Sequence, residues 1–203
     1  MSPQNIFLKT EVIESLGYSK GEISESIESD VDKALEQIKE VAHFRYRSLP
    51  FGALAQTPFF LTQNEYKPIG DKISESVLFA ATLGHEVDRA IKKYSSLSLS
   101  KALIMNTVAN ILLEAEVERV TEHNQSLFCP GYSGTDLKDN KQILDLLDAK
   151  KYLGIHTTDS GMMIPEKSMA GLLLKEYKFT CKGCLMVKHC EYLKSKTTCY
   201  TKK

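Results

Sequence analysis

Ser76-Val77-Leu78-Phe79-Ala80-Ala81-Thr82-Leu83-Gly84 is a short apolar run closed by polar residues and a glycine. Its length fits a strand buried on both faces. Periodicity alone also admits a helix here, so the flanking elements decide what class of fold it joins. Upstream, over residues 22–44, Ile23, Ile27, Val31, Leu35, Ile38 and Ala42 recur at intervals of three or four, and Glu, Asp, Ser and Lys fill the opposite face. That pattern predicts an amphipathic helix with one buried stripe. A shorter helical stretch over residues 11–16 precedes it, followed by a turn bracketed by Gly17 and Gly21. Residues 45–71 hold Pro50, Gly52, Pro58, Pro68 and Gly70, which break helices and predict an irregular or partly extended segment.

Downstream, residues 85–94 read as a short charged helix. Residues 100–122 read as a longer one, with Leu103, Ile104, Val108, Ile111, Leu112, Ala115 and Val120 inward. A loop with Cys129, Pro130, Gly131 and Tyr132 leads to a helix over residues 139–151, carrying Ile143, Leu144 and Leu147. Gly154 stands where a helix C-terminal cap belongs. Residues 162–174 read as a turn at Pro165 and Glu166 followed by an apolar strand. Helices and a few strands in irregular order predict an α+β fold. The expectation is a single compact domain over residues 1–176 and a cysteine-rich tail over residues 177–203, with the break near Tyr177.

The chain has 203 residues, 42% of them hydrophobic and 26% charged, enough for a real core and far from the composition of disorder. Lys plus Arg and Asp plus Glu number 26 each, so the formal net charge is zero. No basic excess points to nucleic acid. No apolar stretch approaches the roughly 18 residues of a membrane span, and no leader pattern stands at the N-terminus. The expected location is the cytoplasm, where clustered cysteines point to metal or redox chemistry more than to disulfides.

Such a cluster is present. Cys181 and Cys184 form a CxxC, and Cys190 and Cys199 follow, with His189 beside Cys190. A CxxC turn can aim two thiolates at one soft ion, and two later cysteines can complete four-fold coordination of zinc or an iron–sulfur cluster. The spacing matches neither the ferredoxin pattern nor a common zinc finger. Redox-active thiols, and cysteines with no ligand role, stay open beside the metal reading. The stretch 127–134, Leu-Phe-Cys-Pro-Gly-Tyr-Ser-Gly, combines a glycine that allows close backbone approach with a flat tyrosine, yet by residue type it also reads as a tight turn between helices. On the long helix, Glu114 and Glu118 share a face, and Glu114 lies near the apolar stripe, where a carboxylate can meet a cationic ligand group or simply face solvent. The histidines His43, His85, His123, His156 and His189 form no metal-binding pair pattern. No phosphate-binding loop, dinucleotide fingerprint or serine-nucleophile motif is present.

Several stretches together resemble the activation-domain family of vitamin B12-dependent methionine synthase. Glu11-Val12-Ile13-Glu14-Ser15-Leu16-Gly17-Tyr18 is similar to the opening of stand-alone members, as is Leu78-Phe79-Ala80-Ala81-Thr82-Leu83-Gly84-His85-Glu86-Val87-Asp88. The strongest block runs from Pro130-Gly131-Tyr132 through Leu144-Asp145-Leu146-Leu147-Asp148 and Leu153-Gly154-Ile155 to Ser160-Gly161-Met162-Met163-Ile164-Pro165-Glu166-Lys167-Ser168. The order and spacing of these pieces carry the resemblance, over about residues 9 to 175.

The resemblance implies a role as a reactivation subunit. Cobalamin on methionine synthase sometimes falls from cob(I)alamin to inactive cob(II)alamin. One electron from flavodoxin or a similar donor, and one methyl group from S-adenosylmethionine, restore methylcobalamin. The implied partner is a cobalamin-binding methionine synthase or another corrinoid protein, with the cobalamin carried by that partner. Neither nucleic acid nor membrane is expected. The implied ligand site comprises Glu114, Cys129, Pro130, Gly131, Tyr132 and Ser168. Two positions depart from the long enzymes: Leu127 stands where they carry an arginine suited to clamping a carboxylate, and Leu172 and Leu173 stand where they carry a ligand-contacting tyrosine. The implied metal site is Cys181, Cys184, Cys190 and Cys199, a tail that the long enzymes lack and short members often share, read as an iron–sulfur cluster or zinc site. The alternative function is a corrinoid-protein binding module or chaperone without S-adenosylmethionine binding.

Overall fold

The computed structural model of the chain describes residues 3–18, 23–55, 57–62, 64–122, 125–131 and 135–175. Tyr132 and the four tail cysteines Cys181, Cys184, Cys190 and Cys199 lie outside these residues, as does the expected break near Tyr177.

Val77–Thr82 is a strand (β2) at the middle of the fold. Arg45–Pro50 (β1) pairs with it on one side and Ser168–Lys175 (β6) on the other, both antiparallel. Gln125–Phe128 (β3) closes the far edge against β6, giving a four-stranded sheet in the order β1-β2-β6-β3. His156–Thr157 (β4) and Met163–Ile164 (β5) form a separate small hairpin. The peptide between Ile164 and Pro165 is cis.

The sheet separates two cores, because side chains alternate across a strand. From β2, Phe79 and Ala81 enter one core while Leu78 and Ala80 enter the other. From β6, Leu173 enters the first, and Ala170, Leu172 and Leu174 enter the second. The helices Pro3–Ser15 (α1), Glu25–Val41 (α2), His85–Ser95 (α3) and Leu99–Val120 (α4) build the first core. Ser24 caps α2 and Ser98 caps α4, each hydroxyl accepting from the backbone N–H three residues on, at 3.5 and 3.4 Å. Lys9 of α1 bonds Asp32 of α2 at 2.8 Å. The second core holds Asp139–Leu146 (α5), Ala149–Tyr152 (α6) and the short 3-10 turns between residues 51 and 75.

Several sequence expectations change in detail. The buried stripe of α4 is Ala102, Ile104, Met105, Val108, Ala109, Leu112, Leu113 and Val117, whereas Leu103 and Val120 face outward at 58% and 38% exposure. The reason is that α4 packs against α1, α2 and α3 as well as β2, so its covered arc is wider and differently centred than one apolar stripe predicts. The single helix expected over residues 139–151 is broken at Asp148, which adopts φ 48° and separates α5 from α6. Asp is among the few residues that take this left-handed conformation readily. The segment expected to be irregular over residues 45–71 does begin with a strand, β1.

Candidate functional site

Strand β3 ends at Phe128, opposite Leu172, and the chain then crosses directly over Gly171 of β6. A Cβ on Gly171 would stand 2.4 Å from the Phe128 carbonyl oxygen and 3.1 Å from Cys129 Sγ. Only glycine admits this approach. Cys129 packs against the helix-side core, Pro130 is buried, and Gly131 is exposed with φ 88°. The Gly131 N–H donates to the Thr135 carbonyl at 3.2 Å and to Thr135 Oγ1 at 3.1 Å. These bonds tie the two described ends of the 130–135 loop together.

Glu114 of α4 approaches the same place. Its negative charge reaches the Cys129 thiol, which burial in the first place, and Glu114 in the second, push up to about 12. Glu114 as a residue is exposed. Its carboxyl is nevertheless raised above the usual carboxylate range, first by the protein packed around it, then by the like charges of Glu118 and of Glu11 on α1. A carboxyl crowded by two others favours a neighbouring cation. Chemically, this corner offers a negative group beside a backbone loop that approaches closely.

Ser168 lies elsewhere. It starts β6 opposite Thr82, and its hydroxyl donates to Thr82 Oγ1 at 2.9 Å. Thr82 Oγ1 also accepts from the Gly84 N–H at 3.0 Å and donates to the Lys167 carbonyl at 3.3 Å. Strand alternation puts Ser168 on the same face as Ala170 and Leu172, away from α4 and Glu114. The structure therefore puts Glu114 near Cys129, the residue that leads into Pro130 and Gly131, and sets Ser168 on the other face. Leu127 pairs with Leu173, and both pack into the helix-side core. No cation stands at that position.

One cluster went unread in the sequence. Lys167 is 9% exposed, and its ammonium donates to Asn106 Oδ1 at 2.7 Å and Asn110 Oδ1 at 2.9 Å. Asp88 of α3 accepts the backbone N–H groups of Glu166 at 2.7 Å and Lys167 at 3.2 Å. Burial lowers the Lys167 pKa, against an opposing pull from Asp88 and Glu166. The available signal was the recurrence of polar Asn106, Asn110 and Glu114 at four-residue steps along an otherwise apolar helix. A surface cleft of about 740 Å³ lies beside this cluster along α3, between His85, Asp88, Arg89, Lys92 and Glu166, and none of the predicted site residues lines it. Among the described residues no group of three or more His, Cys, Asp or Glu is placed to hold a metal ion. No described helix is long and apolar enough to cross a membrane.

Residues 127–184 match the sequence family described as vitamin B12 dependent methionine synthase, activation domain. The matched segment takes in the end of β3, the Cys129–Gly131 corner and β6. A solved structure, the crystal structure of the MetH reactivation domain bound to AdoHcy, superposes with a TM-score of 0.53 over 87% of this chain and 74% of that one, at 14% sequence identity. The fold is that of a methionine synthase activation domain. Among curated proteins no sequence match is found. The activation-domain fold thus rests on sequence over residues 127–184 and on architecture for the rest.

Proposed function

We propose that this activation-domain protein is a stand-alone reactivation subunit. In this reading it supports reductive methylation of cob(II)alamin on a cobalamin-binding methionine synthase or another corrinoid protein, with S-adenosylmethionine as methyl donor. The observation that carries the reading is the corner where Glu114 meets the close-packed Cys129–Gly131 loop, within an architecture shared with a reactivation domain solved with AdoHcy. The donor set suits the ligand. S-adenosylmethionine bears an ammonium and a sulfonium, and Glu114 is a carboxylate already crowded by Glu118 and Glu11. The methyl group and one electron, the latter from flavodoxin or a similar donor, together convert cob(II)alamin to methylcobalamin and leave S-adenosylhomocysteine. The protein's part is to bind the donor and to cover the partner's corrinoid so that sulfonium and cobalt meet.

Calorimetric titration of the full chain with S-adenosylmethionine tests this. Binding is expected, and Glu114→Gln weakens it about tenfold or more, the usual scale for a charge-assisted contact. No binding at millimolar ligand overturns the methyl-donor part. It would leave the second reading, a corrinoid-protein binding module or chaperone without S-adenosylmethionine binding, which Leu127 in the apolar core favours. For the tail we propose that Cys181, Cys184, Cys190 and Cys199 hold an iron–sulfur cluster or zinc. Anaerobic purification followed by iron, sulfide and zinc analysis decides between them, and a preparation free of all three removes the metal role.

A further inference from the structure

Lys167 is a buried ammonium that the chain surrounds mainly with neutral partners. Its two hydrogen-bond acceptors, Asn106 Oδ1 and Asn110 Oδ1, carry no charge. Asp88 and Glu166 are close enough for their charges to be felt, but Asp88 spends its oxygens on the backbone N–H groups of Glu166 and Lys167. Among the described residues Lys167 takes part in none of the ion pairs. An ammonium has three donors, and two are engaged among the described residues. A charge taken out of water at this depth is costly unless an opposite charge joins it. The position therefore favours an anionic guest.

The surroundings specify what else the guest carries. Asn106, Asn110 and Glu114 stand at four-residue steps on α4, so they form one stripe that advances about 6 Å per step. Asn110 and Glu114 are exposed, which leaves the stripe open. The Lys167 end is positive. One turn beyond Asn110 the stripe is negative, since Glu114 sits with Glu118 and Glu11. A guest with a carboxylate at one end and a cationic centre a few ångströms away matches both the order and the sign of these charges. That is the amino-acid end of a sulfonium such as S-adenosylmethionine. Leu127, packed with Leu173 in the core, offers nothing to a carboxylate.

We infer that Lys167, held between Asn106 and Asn110, binds the carboxylate of an α-amino-acid ligand whose cationic end faces Glu114. The inference deepens the S-adenosylmethionine reading and rests on it. It makes Lys167 the specificity-determining residue for the amino-acid moiety and gives Asn106 and Asn110 the task of orienting the ammonium.

The test compares S-adenosylmethionine with its decarboxylated counterpart by calorimetry on the full chain, for the unchanged protein, Lys167→Met and Lys167→Arg. The unchanged protein should prefer the intact ligand at least tenfold. Lys167→Met should lose that preference by weakening the intact ligand alone, with the decarboxylated ligand held within about twofold, and Lys167→Arg should keep most of it. Equal affinity of the unchanged protein for both ligands overturns the inference while leaving the S-adenosylmethionine reading standing. Proportional loss of both ligands in Lys167→Met shows a purely structural lysine and also overturns it. Binding of neither ligand to the unchanged protein overturns the reading and the inference together. Thermal melts of each variant establish that the folded state is compared, and should Lys167→Met fail to fold, the two-ligand comparison on the unchanged protein and Lys167→Arg decides.

Discussion

Cys129 follows directly on β3, where the chain crosses Gly171, and the position determines its chemistry. Burial removes the solvent that would stabilise a thiolate, and the Glu114 charge opposes it further, so the thiol is pushed up to about 12. The group is then a poor nucleophile and a poor ligand at neutral pH, and its part in the corner is packing. At pH 9 a thiol with the ordinary value of 9.0 is half ionised, whereas one at about 12 is ionised on the order of one part in a thousand. Alkylation of Cys129 by iodoacetamide, followed by peptide mass spectrometry, should therefore run two to three orders of magnitude slower in the folded than in the unfolded chain at that pH. Equal rates would contradict the burial. The linkage has a definite sign. The folded pKa lies above the unfolded value of 9.0, so this group's contribution to stability is complete below pH 9 and is lost as pH rises through about 12.

At the scale of elements, periodicity and its absence explain what the sequence disclosed. Helix α2 was legible because one face carries Val31, Leu35 and Ile38 while the other is charged. Strand β2 was only half legible, because a short apolar run before a glycine fits a buried strand or a buried helix, and its pairing with β1 and β6 decides between them. Strand β3 was not, since Gln125–Phe128 has four residues and only two apolar side chains, and it exists because β6 offers it an edge. The site divided in the same way. Glu114 comes near Cys129 because α4 lies along the sheet, a proximity that no local pattern in either segment announces. Whether Ser168 shares their face depends on strand parity, which is set by pairing with β2 and not by local sequence. Lys167 escaped notice because its partners Asn106 and Asn110 are about 60 residues away in the chain, joined to it only when α4 lies along the sheet. The polar node on the other face, where the Tyr66 hydroxyl donates to Asp139 Oδ2 at 2.8 Å, is non-local for the same reason.

For the whole molecule, the central pair β2 and β6 belongs to both cores, and this shared ownership predicts how the protein unfolds. Leu172 points into the core of α5 and the 3-10 turns, while the adjacent Leu173 points into the core of the four long helices. Both are almost fully buried, at 1% and 2% exposure. If each core were an independent unit, Leu172→Ala would lower one transition and Leu173→Ala another. But neither core has a wall without the sheet, and the sheet keeps its twist and register only while both faces are covered. Each substitution should therefore cost about 2–5 kcal/mol, the range for emptying a buried leucine site, and each should shift the same single transition. Denaturant unfolding followed by far-ultraviolet circular dichroism, which reads mainly the four long helices, and by tyrosine fluorescence, which includes buried Tyr66 of the second core, should give coincident midpoints in both variants. Separated midpoints in either variant would show that the two faces fold as separate units. The corner at Glu114 would then owe its geometry to the helix-side core alone, and substitutions at Tyr66 or Leu172 would leave ligand binding untouched.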